Sequence, residues 1–389
     1  MTRDATRLVA LSQALNRSGS RVEDVFWENQ LGEAIPKLLK AGQDAPLEAA
    51  LDHLAQSDIG AYEVLIEQAE TLSESMKMEK DGVVHDVLLI VAPIVAWTRY
   101  TIPTGPVSAS AQQALLAQLH GHVLSSQART ALMPMLVSVD QMPRTFGETW
   151  QWLQRLGSQA LGGEATKPTL NTEVETANML ADTRYIIGAV AVPENAPIFR
   201  WQESLGEADA TRDACQEQWA AQAQPTLAAQ LPGCGFEALL PDAYYVSNRE
   251  ADRRVRPLSL RAAVSWLEGA VNLEASQLRA VVAGCGENRI DEYRVSFTAR
   301  NSNDVYYGCV WPLYGREEET PSDEGQPDVV DEIAALLKEY GVTEMRRIPG
   351  VLPAEYCEDC GAPYFPNPLG ELVHAELPED AEAAPAKFH

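Results

Sequence analysis

Cys357 and Cys360, with two residues between them and Gly361 after, form the sharpest metal-ligand spacing in the chain. Two thiolates on a tight turn make one half of a tetrahedral zinc site, and the glycine lets the backbone fold back beneath them. His374, at the end of the run 367–374, is positioned to supply a third donor from the return strand of a small ribbon. The fourth donor has no single local source. Asp359, Glu371, His389, a water, or the same cysteine pair of a second subunit would each complete the shell, the last by building a homodimer. Two further readings of the pair stay open, a reduced unligated turn and a thiol redox couple. The redox reading lacks a helix opening at the pair, whose N-terminus would lower a thiol pKa.

A second chemistry is suggested by Arg249, Arg253, Arg254, Arg256 and Arg261, the densest positive cluster in an acidic chain. Guanidinium groups hold carboxylate or phosphate through paired donors, so Arg249, Arg253, Arg254 and Arg256 are candidate anion ligands. The segment is expected to follow a strand over Phe236 to Val246 and to lead into a helix from Ser259. Such a strand-to-helix junction often carries ligands in open α/β sheets. The bland reading is a salt-bridge network answering Glu250, Asp252 and the acidic excess.

Other chemistry-bearing residues are weaker. The loop Thr101 to Pro106 precedes a helix but has neither the glycine spacing nor the lysine of a nucleotide loop. His120 and His122 stand two apart, on different faces of a helix. Cys234 and Cys285 have no base beside them in sequence, and Cys215 and Cys309 read as packing positions.

These residues must be positioned by a mixed α/β (α+β) fold. Helical spacing of apolar residues marks Thr6 to Arg17, Val22 to Lys40, Pro46 to Gln56 and Gly60 to Met78, with Asp58 as a cap; residues 1–80 are thus a helical region. A first α/β unit is expected over residues 81–161, opening on the buried strand around Val87 to Ala92. A linker follows, Gly162 to Pro168. A second, larger unit over 178–350 repeats the order strand, helix, strand, helix, displaced by about 100 residues, the size of a small domain. The acidic stretch Arg316 to Gly325 reads as solvated. Residues 351–389 carry the cysteine knuckle and a frayed tail from Pro378.

With 389 residues, 46% of them apolar, the chain has material for real cores. A formal charge of -26 makes nucleic acid and anionic lipid poor partners, while leaving room for a basic protein. Six cysteines in such a length make no disulfide framework, and the first residues enter an amphipathic pattern with no apolar leader. The expected setting is reducing and cytoplasmic, with no membrane span.

The runs 18–24 with Phe26-Trp27-Glu28, 231–236, 242–246, 311–317 and the Cys-x-x-Cys-Gly segment together resemble a bacterial family known as domain of unknown function 2863. The resemblance covers nearly the whole chain and implies no activity, substrate or catalytic residue. The reading from residues is therefore a non-enzymatic binding or regulatory protein with a structural zinc knuckle. Its partner is an unidentified protein or an anionic small molecule. The alternative is an enzyme acting on an anionic small molecule held by the Arg249 to Arg261 segment.

Overall fold

The computed structural model describes residues 1–98, 100–164, 180–287, 289–313, 328–378 and 381. The acidic stretch 316–325, the linker beyond residue 164 and the tail with His389 lie outside the described residues. Four helices come first: α1 (Arg3–Asn16), α2 (Arg21–Lys40), α3 (Ala45–Ser57) and α4 (Ile59–Glu74). Thr2, Ser20 and Asp58 cap α1, α2 and α4 by accepting first-turn amides, which fixes where each helix starts. Their shared core is built from Leu8, Leu31, Ile35, Leu47, Leu54 and Leu65. The fourth helix stops earlier than its periodicity suggests. Ser75–Lys80 is strand β1, because Met76 and Lys77 pair with Val87 and Asp86 across a hairpin.

The central sheet is built on two long strands, β2 (Val83–Trp97) and β6 (Ala181–Pro193), paired antiparallel along thirteen residue pairs from His85–Pro193 to Trp97–Ala181. Between them in sequence come β3 (Gly105–Pro106), α5 (Ala109–His122), β4 (Arg129–Leu132), β5 (Met135–Ser138) and α6 (Phe146–Ala160). After β6 come α7 (Arg200–Glu203), α8 (Arg212–Gln230), β7 (Gly235–Ala238), β8 (Asp242–Ala243) and α9 (Tyr244–Ala270). The order of long strand, helix, short strands, helix does recur. The short strands, however, are exchanged: β4 and β5 pair with β6, while β7 and β8 pair with β2. One eight-stranded sheet therefore crosses the division expected between residues 161 and 178. Side-chain alternation gives the sheet two apolar faces. Ile90 and Ile94 pack with Leu115 of α5 and Trp219 of α8. Leu89 and Val91 pack with Trp152 of α6 and Tyr244 of α9.

Helix α9 departs most from expectation. Tyr244-Tyr245-Val246 reads as strand and the helix is expected only from Ser259, yet α9 begins at Tyr244 and runs for 27 residues, straight through Pro257. Tertiary burial outweighs the lost backbone bond. Tyr244, Ser247 and Ala251 bury against the central sheet, and Leu260, Val264 and Leu267 against a second sheet. That second sheet has strand order β11 (Tyr307–Pro312), β10 (Glu292–Ala299), β9 (Leu278–Cys285), β12 (Glu344–Leu352). Its inner face packs on α9 and on α10 (Val329–Glu339), through Val282, Val295, Phe297 and Ile333. Its outer face is covered by the C-terminal segment, which contains the short hairpin β13 (Phe365–Pro366) and β14 (Leu372–Val373).

Candidate metal centre and arginine segment

Alternation along β10 sends Val295 and Phe297 into the core and Arg294 and Ser296 to the opposite face. Both polar side chains are buried there, and both hold the C-terminal segment. Arg294 Nη1 donates to the carbonyls of Glu355 and Tyr364 at 2.6 Å each, and its Nε donates to Glu292 at 2.7 Å. Ser296 donates to the carbonyl of Pro366. Phe365 lies against Gly308 of β11, where no Cβ would fit. The two anchored stretches thus bracket the cysteine turn.

The turn itself is closed locally. Cys357 N donates to the carbonyl of Ala362 at 2.8 Å, and Gly361 N donates to that of Cys357 at 2.9 Å. Gly361 has φ +71°, the left-handed conformation that a glycine adopts without cost. The return strand brings His374 back to the pair. The sulfurs of Cys357 and Cys360 and a ring nitrogen of His374 all lie within 4.8 Å of one another, so the three residues could hold a metal ion. His374 Nε2 is 3.2 Å from Cys360 Sγ, while Nδ1 is 3.1 Å from the carbonyl of Ala375. A ring that donates from Nδ1 keeps the Nε2 lone pair for a ligand, the usual arrangement of a metal-bound histidine. Backbone N–H groups of Cys360 and Asp359, then the Cys360 thiol, hold Cys357 below the ordinary thiol pKa. Glu371 is turned elsewhere: it accepts from the Asn367 side-chain amide at 2.8 Å. All six cysteines are unbridged.

The arginine segment does not converge on one site, because it lies on a single helix. Arg249 pairs with Glu70 of α4 at 2.7 Å, and Arg253 with Glu250 one turn back at 3.8 Å. Arg256 is buried, its guanidinium 5.6 Å from the ring centre of Trp311. Arg254 reaches Glu237 of β7 through Nε at 2.9 Å and Nη2 at 2.8 Å. Arg254 and Arg261 border a cavity, a space of about 540 Å³ between α9 and the ends of the central strands. This cavity was not legible in the sequence, because Trp97, Leu180 and Glu237, which line it with α9, come from distant segments.

The remaining candidates are structural. The loop after β2 is held by buried Arg184, which donates to the carbonyls of Pro103 at 3.0 Å and Ile102 at 2.8 Å. Ser108 caps α5 by accepting from Ala111 N at 3.2 Å. His122 meets Gln218 at 3.2 Å, and burial lowers the His120 pKa. Burial raises the thiol pKa of Cys215 and Cys234, and pushes Cys285 to about 11 and Cys309 to about 12.

A polar cluster that the sequence did not signal joins α4, α6 and α9. Glu74 accepts from Tyr245 N at 2.9 Å at the start of α9, whose N-cap is Ala243 and offers no side-chain acceptor. Desolvation by burial holds the Glu74 carboxyl up at about 7. Tyr245 OH lies 3.1 Å from Ser73 Oγ and donates to Thr149 at 3.3 Å.

No helix among the described residues is long and apolar enough to cross a membrane. No curated protein matches the chain, and no solved structure matches it. A family model does, from residue 1 to residue 388, and the chain belongs to that family, described as "Protein of unknown function (DUF2863)".

Proposed function

We propose that this is a non-enzymatic binding or regulatory protein of a reducing, cytoplasmic setting, whose C-terminal ribbon is fastened by a structural zinc ion on Cys357, Cys360 and His374. The observation that carries the zinc reading is the convergence of two sulfurs and one imidazole within 4.8 Å. Two soft thiolates with one imidazole suit zinc better than magnesium or calcium, which take oxygen donors. The ion would join the Cys357 turn, bracketed by the places where Arg294 and Phe365 pin the ribbon, to His374 just after β14. Water or a second chain would take the fourth position. Burial raises the thiols of Cys285 and Cys309, which keeps them protonated at neutral pH and makes them poor nucleophiles. Of Arg249, Arg253, Arg254 and Arg256, the enzyme alternative keeps Arg254, which lines the cavity while paired with Glu237; Arg249 and Arg253 pair with Glu70 and Glu250, and Arg256 faces Trp311.

Metal content and subunit mass, measured together on protein purified without a metal-affinity tag, test the reading. About one zinc per chain, lost in Cys357→Ser, is expected for a local site; about one per two chains, with dimer loss in the variant, marks a shared one. Protein that binds no zinc on titration, with both thiols freely reactive, overturns it.

A further inference from the structure

The cavity of about 540 Å³ lies between α9 and the ends of the central strands, and ligand sites span about 300–1,000 Å³. One wall is α9, through Leu258, Arg261, Ser265 and Trp266. Another wall is the exit of the central strands, Trp97, Thr98 and Leu180, where Thr98 N donates to Leu180 O at 3.0 Å. Both indole walls are supported from behind. Trp97 lies across Gly235 of β7, where a Cβ would collide with the indole ring. Trp266 packs on Tyr307 of β11, with ring centres 5.3 Å apart.

The charges in this cavity are unequal. Arg254 gives two donors to Glu237, so that pair is close to neutral. Arg261 is exposed on the same helix face, and no carboxylate among the described residues pairs with it. A cavity with two indole walls, one neutralised ion pair and one available guanidinium complements a flat apolar body carrying one negative charge.

We propose that this cavity binds a small aromatic monocarboxylate, with its carboxylate on Arg261 and its ring between Trp97 and Trp266. The proposal names the ligand class of the binding reading and is independent of the metal, so zinc content and ligand binding fail separately.

The test is isothermal titration of the full chain with 2-naphthoate and with its uncharged counterpart, 2-naphthamide. Naphthoate is expected to bind at least about tenfold more tightly than the amide, with naphthoate affinity falling by about the same factor in Arg261→Ala and largely kept in Arg261→Lys. Ser265→Trp, which fills the cavity from an exposed position, is expected to abolish binding, and Arg17→Ala on the first helix to leave it unchanged. Equal affinity for acid and amide overturns the proposal. So does undiminished naphthoate binding in Arg261→Ala or Ser265→Trp, or no naphthoate binding to the natural chain up to its solubility limit. Zinc is measured on each sample, and a sample that has lost its metal is still expected to bind naphthoate.

Discussion

The ring of Phe365 occupies the space that a Cβ on Gly308 would fill. The strand β11 thus keeps a flat spot for the ribbon, and the obstruction in a Gly308→Ala variant is the side of a packed ring, which cannot swing aside like the end of a lysine. We expect this substitution to cost about 1–3 kcal/mol in denaturant unfolding and to speed proteolysis within residues 353–378. A variant as stable and as resistant as the natural chain would mean that the ribbon is not seated there.

Arg294 should be costly to replace for a different reason. Its side chain is fully buried and satisfies the carbonyls of Glu355 and Tyr364. Arg294→Leu leaves both carbonyls and Glu292 without their donor, for an expected loss of about 3 kcal/mol. Hydrogen exchange gives the location: the amides of Cys357 and Tyr364, now bonded to Ala362 and Glu355, should exchange faster while those of β9 remain protected. Uniform acceleration everywhere would contradict a local role.

Glu74 gives a pH signature. Its folded-state value of about 7 stands above the ordinary 4.5, so its contribution is fully present below the unfolded pKa and is lost as pH rises through about 7. Glu74→Gln keeps an acceptor for Tyr245 N without the buried charge. It is expected to leave stability at pH 4.5 nearly unchanged and to raise it by about 2 kcal/mol at pH 8. Unfolding curves across that range check it; a parallel displacement at every pH would contradict the assignment.

Asp44 tests how the N-terminal helices are attached. Its carboxylate accepts from Thr145 Oγ1 at 2.9 Å and Gly147 N at 2.8 Å, at the first turn of α6. Asp44→Ala is expected to lower stability by about 1–2 kcal/mol, and Asp44→Asn by less, as read from thermal unfolding. Gly147→Ala should reproduce the loss with Asp44 intact, because its Cβ would stand 2.6 Å from the carboxylate.

The parts legible in sequence were those whose cause is local. Cys357, Cys360, Gly361 and His374 lie within one short ribbon, and spacing alone brings them together. The cap at Asp58 likewise acts on an amide three residues ahead. What escaped depends on distant contacts. Tyr244 and Tyr245 carry strand-like side chains, but the buried Glu74 and the faces of two sheets make them the first turn of a helix. The arginines were visible as a cluster, whereas their separation around α9 follows from that helix continuing through Pro257. Arg261 acquires its setting only when Trp97 is brought across from the central sheet.

The exchange of short strands between β2 and β6 makes the two halves mutual templates. A polypeptide ending after α6 would hold β4 and β5 without their partner β6, and one starting at β6 would hold β7 and β8 without β2. Each piece would expose the long hydrophobic edge that aggregating strands seek. Together the pieces have the pairings of the central sheet, so the chain is built like a heterodimer whose subunits are covalently joined.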